Sequence, residues 1–127
     1  MKAYYDKVIG ERYCRIDKEI LMKYNNVGIY SGTVEQFIQY LKDKGLFSIP
    51  EIRIYFRKTK ADLFGFSNSQ PIFIIELYRH SVAIFLHELA HIIEYYKNPN
   101  QFSNFHGKAF GITLTDLYTE YLKEVKE

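Results

Sequence analysis

The amino-acid sequence predicts an α+β fold, a small three- to four-stranded sheet packed against helices, and three stretches carry that prediction. Ile52, Ile54 and Phe56 alternate with Arg53, Tyr55 and Arg57, the period of a strand with one face in and one face out. Residues 71–78, PIFIIELY, are dense in branched and aromatic side chains, which suit a strand. Residues 81–96 are an apolar run long enough for a buried helix, and Asn98-Pro99-Asn100 stops it. Helices, then a strand meander, then two helices is an α+β order, with an antiparallel or mixed sheet.

In chain order, residues 7–24 mix apolar and charged side chains without a clean period. They are read as a helix broken by Asn25-Asn26 and Gly28. Thr33-Val34-Glu35-Gln36 has the pattern of a capping box. Val34, Phe37, Ile38 and Leu41 then recur at helical spacing, and Gly45 supplies the stop, which predicts a helix over 33–44. Residue 50 opens the first strand, 62–66 is a second short strand, and Asn68-Ser69 near Gly65 suits a turn. After the buried helix, 97–105 reads as a polar loop. A last helix follows over 106–123, with Phe110, Leu114, Leu117, Tyr118 and Leu122 as its apolar stripe.

Nothing divides the chain: residues 1–127 are read as a single domain, as a length of 127 suggests. Charged residues at 25% and hydrophobic ones at 47% exclude intrinsic disorder. Net charge is only +2, too small to imply a nucleic-acid partner by itself. It is uneven, however: residues 1–60 hold twelve Lys/Arg against seven Asp/Glu, and 61–127 hold five against eight. One cysteine, Cys14, can form no internal disulfide, which fits a reducing compartment. With no apolar signal core at the start and no stretch of the roughly 18–20 apolar residues a span needs, the expectation is a cytoplasmic protein with no membrane partner.

The chemistry is concentrated in His87-Glu88-Leu89-Ala90-His91, an H-E-x-x-H sequence inside the predicted buried helix. Residues four apart lie one above the other on a helix, so both imidazoles can share one metal ion. Glu88 sits about 100° around from His87, where a carboxylate reaches a metal-bound water without ligating the metal. Flanked by Val82-Ala83-Ile84-Phe85-Leu86 and Ile92-Ile93, such a polar trio is costly unless it is paired or ligated. The simpler alternative is a hydrogen-bonded pair of structural histidines.

A catalytic zinc needs a third protein ligand and an open position. The metzincin spacing fails, since Glu94 and Lys97 stand where a Gly and a His would be required. Glu120, on the predicted last helix, would give a glutamate ligand. His106 is the stronger candidate: it follows His91 after fourteen intervening residues, and Gly107 beside it permits close backbone approach.

HELAH, a loop, and then His106-Gly107-Lys108-Ala109-Phe110 together resemble the SprT-like zinc metallopeptidase pattern, H-E-x-x-H followed by H-G-x-x-[FW]. The resemblance spans residues 50–125, and the pair of motifs is considerably more specific than H-E-x-x-H alone. It implies a zincin-like fold, Zn2+ on His87, His91 and His106, and Glu88 as general base. Many members of that family carry a C-terminal zinc ribbon of two Cys-x-x-Cys pairs, which these residues with their one cysteine do not hold. A link to DNA-associated proteins, which the resemblance also implies, is weakened by that departure, and a nucleic-acid partner is only weakly supported.

The activity so implied is zinc-dependent hydrolysis of peptide bonds through a metal-activated water, on extended or unfolded polypeptide. An edge strand at 62–66 or 72–77 would hold the substrate by backbone pairing. Tyr78, His80, Tyr95 and Tyr118 are candidates to steady the oxyanion, and Glu94 and Asp116 to orient ligand imidazoles, each more simply an ordinary half-buried aromatic, capping histidine or solvated charge. Arg53, Tyr55 and Arg57, with Lys58 and Lys60, form a basic, aromatic-interleaved face usable by single-stranded nucleic acid, though a solvent-facing strand side is the simpler reading. Two competing readings stand beside this one. The first is an H-E-x-x-H regulatory peptidase of another lineage, with an acidic third ligand such as Glu120. The second is an inactive binding module that keeps the metal as a clip.

Overall fold

The computed structural model describes residues 18–24, 26–49, 51–58, 65–68, 73–97 and 108–126. Residues 18–24 are helical (α1). They are followed by helix α2 (Ser31–Asp43), strands β1 (Ile52–Phe56), β2 (Gly65–Asn68) and β3 (Phe73–Leu77), and helices α3 (Val82–Lys97) and α4 (Lys108–Lys126). The architecture is α+β, as expected. Residues 7–17, within the expected first helix, lie outside the described residues, as do 62–64 and most of the expected polar loop.

The strands do not form a meander. Their order is β1-β3-β2, with β3 parallel to β1 and antiparallel to β2. The reason is burial: β3 contributes Ile75 and Leu77, both fully buried, and the central position shields such a strand best. β2 extends through Asn68, which pairs with Ile74, and Ser69 of the expected turn lies outside the described residues. A four-residue strand takes its limits from its partner's register more than from its own residues.

α2 buries Val34, Phe37, Ile38 and Leu41, the four residues of the predicted stripe. It starts three residues earlier than the capping box implies. Tyr30 is the N-cap and provides no side-chain hydrogen bond, while Thr33 and Gln36 sit inside the helix. What sets the start is tertiary: Gly28 bridges Ser81, Ile29 N donates to His80 O at 3.0 Å, and Val82 N donates to Val27 O at 2.9 Å. The helix ends as expected at Gly45, which takes φ 72°; Gly45 N bonds Lys42 O and Leu46 N bonds Leu41 O, closing a Schellman motif.

α3 is apolar nearly all round, with nine residues buried from Val82 to Ile93, so it runs through the core and not over its surface. The Ser81 hydroxyl caps it by accepting from Ile84 N at 3.2 Å. α4 presents Phe110, Leu114, Leu117 and Tyr121 to the core. Tyr121 thus stands where Leu122 was expected in the stripe. Spacing of four, three and four keeps one helical face, and Tyr121 meets Phe37 and Tyr24 edge-on.

Phe37 is where the three long helices meet, with its ring edge-on to Phe85 of α3 at 6.4 Å and to Tyr121 of α4 at 5.6 Å. It is 1% exposed. Phe37→Ala is expected to lower unfolding stability by about 3–5 kcal/mol, read by chemical denaturation. A loss under about 1 kcal/mol would mean the helices do not share this core.

Candidate metal centre

The fold delivers His87 and His91 to the same side of α3, one turn apart and half-buried. Their Nε2 atoms lie 3.2 Å apart, and the rings meet at a centroid distance of 4.8 Å. Two Zn–N bonds of about 2.0–2.1 Å at a tetrahedral angle place their nitrogens about 3.3 Å apart. The separation therefore fits two nitrogens aimed at one ion. It equally fits one imidazole donating N–H to the other. Glu88 is half-buried on the same helix, beside the pair.

α4 closes this side. Phe110 lies against both imidazoles, its ring centroid 4.5 Å from that of His91 and 5.0 Å from that of His87. The first turns of α4 are therefore brought to the histidine pair by an apolar contact. Phe110 was read from the sequence only as a stripe residue and as the last letter of HGKAF. Its role as the wall of the site depends on the α3–α4 contact. His106 and Gly107 lie outside the described residues. Among the described residues, no group of three His, Cys, Asp or Glu could hold a metal ion.

A second polar link ties the same helices. The Thr113 hydroxyl of α4, 5% exposed, donates to the Glu94 carboxylate of α3. Glu94, a candidate for orienting the imidazoles, is thus engaged by Thr113. Asp116 is exposed on α4, as an ordinary solvated charge.

Glu120 is directed elsewhere. It accepts from the Tyr40 hydroxyl of α2 at 3.1 Å and from Lys123 Nζ at 3.2 Å. The Lys123 hydrogen bond, with that of Tyr40, holds its carboxyl below the usual range against the opposing effect of burial. Ten residues of helix separate it from Phe110, about 15 Å along the axis.

The oxyanion candidates make contacts of their own. Tyr78 donates to Glu76 at 3.3 Å. The His80 Nε2 meets the Arg57 carbonyl at 2.8 Å, and its ring stands edge-on to Phe56, pinning the end of β1 to the start of α3. Tyr118 packs on Tyr24 of α1, and burial, with a hydrogen bond to Tyr24, pushes its hydroxyl up. Tyr95 is one turn beyond His91 on α3 and contacts the Phe73 ring.

The strand that was to receive a peptide is also narrowed. β3 is paired on both sides, so it offers no edge; β2 is the edge that packs beside α3. On the basic face, Arg53 bonds Glu51 at 3.0 Å and Arg57 bonds Glu76 at 3.1 Å while lying over the Tyr55 ring. Both guanidiniums have acidic partners, which lowers the charge on offer to a phosphate backbone. Lys60 lies outside the described residues. No described helix is long and apolar enough to cross a membrane.

No family model matches the chain, and neither a curated protein nor a solved structure matches it.

Thr113→Val replaces a buried donor by an isosteric methyl and leaves the Glu94 carboxylate short of a partner. The expected loss is about 1–3 kcal/mol of stability in a denaturation experiment. An unchanged midpoint would show that the Thr113–Glu94 link does not hold α3 to α4.

Proposed function

We propose that this protein is a zinc-dependent metallopeptidase of the H-E-x-x-H type, acting on extended or unfolded polypeptide. The observation that carries the proposal is the 3.2 Å separation of the His87 and His91 Nε2 atoms on one face of a core helix. Two imidazole nitrogens so placed suit one tetrahedral ion. His87 and His91 would hold it, with His106, the histidine of HGKAF, as the third ligand. Phe110, the last residue of HGKAF, supports that choice, because it lies against the pair. Zinc bound there would acidify a water and polarise a peptide carbonyl.

The chain's own residues supply the rest. Glu88 takes a proton from the attacking water and passes it to the leaving amine, a role that suits a half-buried carboxylate beside the pair. Phe110 excludes water from one side of the imidazoles. The outer edge of β2 pairs with the substrate backbone, which gives binding with weak side-chain selectivity. The acidic-ligand alternative has less support, since Glu120 is held by Tyr40 and Lys123.

Purified protein should carry close to one zinc per chain by elemental analysis. His87→Ala or His106→Ala should remove it, and Glu120→Ala should leave it in place. Retention of zinc by His106→Ala, with its loss from Glu120→Ala, would transfer the third-ligand role to Glu120.

Glu88→Gln should keep zinc and fold while cutting cleavage of an unfolded protein such as casein by about 10²–10⁴-fold. If biological activity survives this substitution unchanged, the metal is a structural clip and the chain is a binding module.

A further inference from the structure

The sheet has a second edge, and it is not the one beside α3. β1 is paired only on its β3 side among the described residues. Arg57 N bonds Leu77 O, so the backbone groups of Arg53, Tyr55 and Arg57 point towards β3. By alternation, the N–H and C=O groups of Ile52, Ile54 and Phe56 point outward. The side chains of these same three residues are only partly buried. They line one wall of a groove of about 400 Å³, and Val34, Ile38 and Lys42 of α2 are on the other. An open row of backbone groups beside a groove of mixed polar and apolar lining is a template for an added strand.

We propose that the occupant is β1 of a second copy of this chain, paired antiparallel about a two-fold axis at Ile54. The charge pattern selects this partner and this register. With Ile54 opposite its own copy, Ile52 faces Phe56 of the second copy, and all the outward-pointing residues meet as hydrogen-bonded pairs. On the other face Glu51 falls opposite Arg57 and Arg53 opposite Tyr55, each twice by symmetry. No like charges oppose. Shifting by one pleat in one direction sets Arg53 against Arg53; shifting the other way sets Arg53 against Arg57 twice. Like charges directly opposite destabilise a strand pair. Glu51 and Arg53 are half or more exposed and bonded to each other at 3.0 Å, a surface pair that costs little to open towards a neighbour across the axis. The interface is isologous, and two three-stranded sheets become one continuous sheet, with the β2 edges at its far ends.

Sedimentation of the full chain over a concentration series tests this, and a species of twice 15.1 kDa is expected. Ile54→Pro removes an N–H that the β1–β3 ladder does not use, and should raise the dimer dissociation constant at least about tenfold. Glu51→Arg alone and Arg57→Glu alone should each weaken self-association by about tenfold, and an equimolar mixture of the two should restore it, because each reversed charge then faces its opposite. Circular dichroism checks that each variant is folded; if Ile54→Pro is not, the charge-reversal mixture decides. A chain that stays monomeric at all concentrations overturns the proposal. So does a dimer indifferent to both charge reversals, or a mixture that associates no better than its components.

Discussion

The contact between α3 and α4 is the constraint on which the rest of this structure depends. α3 is apolar on almost every side, so it can exist only inside the core. Yet it carries two imidazoles and two carboxylates, Glu88 and Glu94, which resist burial in a purely apolar setting. α4 resolves the conflict by lying along the helix in two ways at once. Phe110 packs on the histidine rings, and Thr113 gives its hydroxyl to Glu94 one turn further on. The polar face is partly shielded and still half-open.

The other elements serve to hold these two helices. Phe37 wedges α2 against both of them, and Tyr40 takes Glu120 of α4 on the same side. Glu120 illustrates how placement outranks residue type. A carboxylate on the right helix is a plausible ligand on paper. Ten residues of rise put it beside α2, with hydrogen-bonding partners of its own. The start of α3 is fixed with similar economy. Ser81 caps it, the segment around Gly28 pairs with it, and His80 ties it to the end of β1. The histidine pair is thus carried by a helix anchored at its first turn and braced along its length.

Much of this was legible in the residues because it rests on local periodicity. The four buried residues of α2, the stop at Gly45, the strand character of β1 and β3, and the buried helix over the motif all follow from spacing and backbone preference within short windows. The misreadings share one cause. Thr33 has a good capping pattern but lies inside a helix whose start is set by pairing with Ser81. Leu77 falls in a stretch that reads as an edge strand but is paired on both sides. Tyr121 replaces Leu122 in the stripe because it meets aromatic rings from α1 and α2. In each case a distant partner outweighed a preference worth about 1 kcal/mol or less.

The division for the candidate site is similar. H-E-x-x-H on an apolar helix determines by itself that two imidazoles share a face, since helical geometry permits nothing else. That Phe110 closes over them, that Glu94 is engaged by Thr113, and that Glu120 is turned away are facts of helix packing, which no local window contains. The sheet divides in the same way. Alternation in β1 determined which residues would share a face. The insertion of β3 between β1 and β2 decided which edges remain open among the described residues, because strand order follows from burying the most apolar strand and not from chain order.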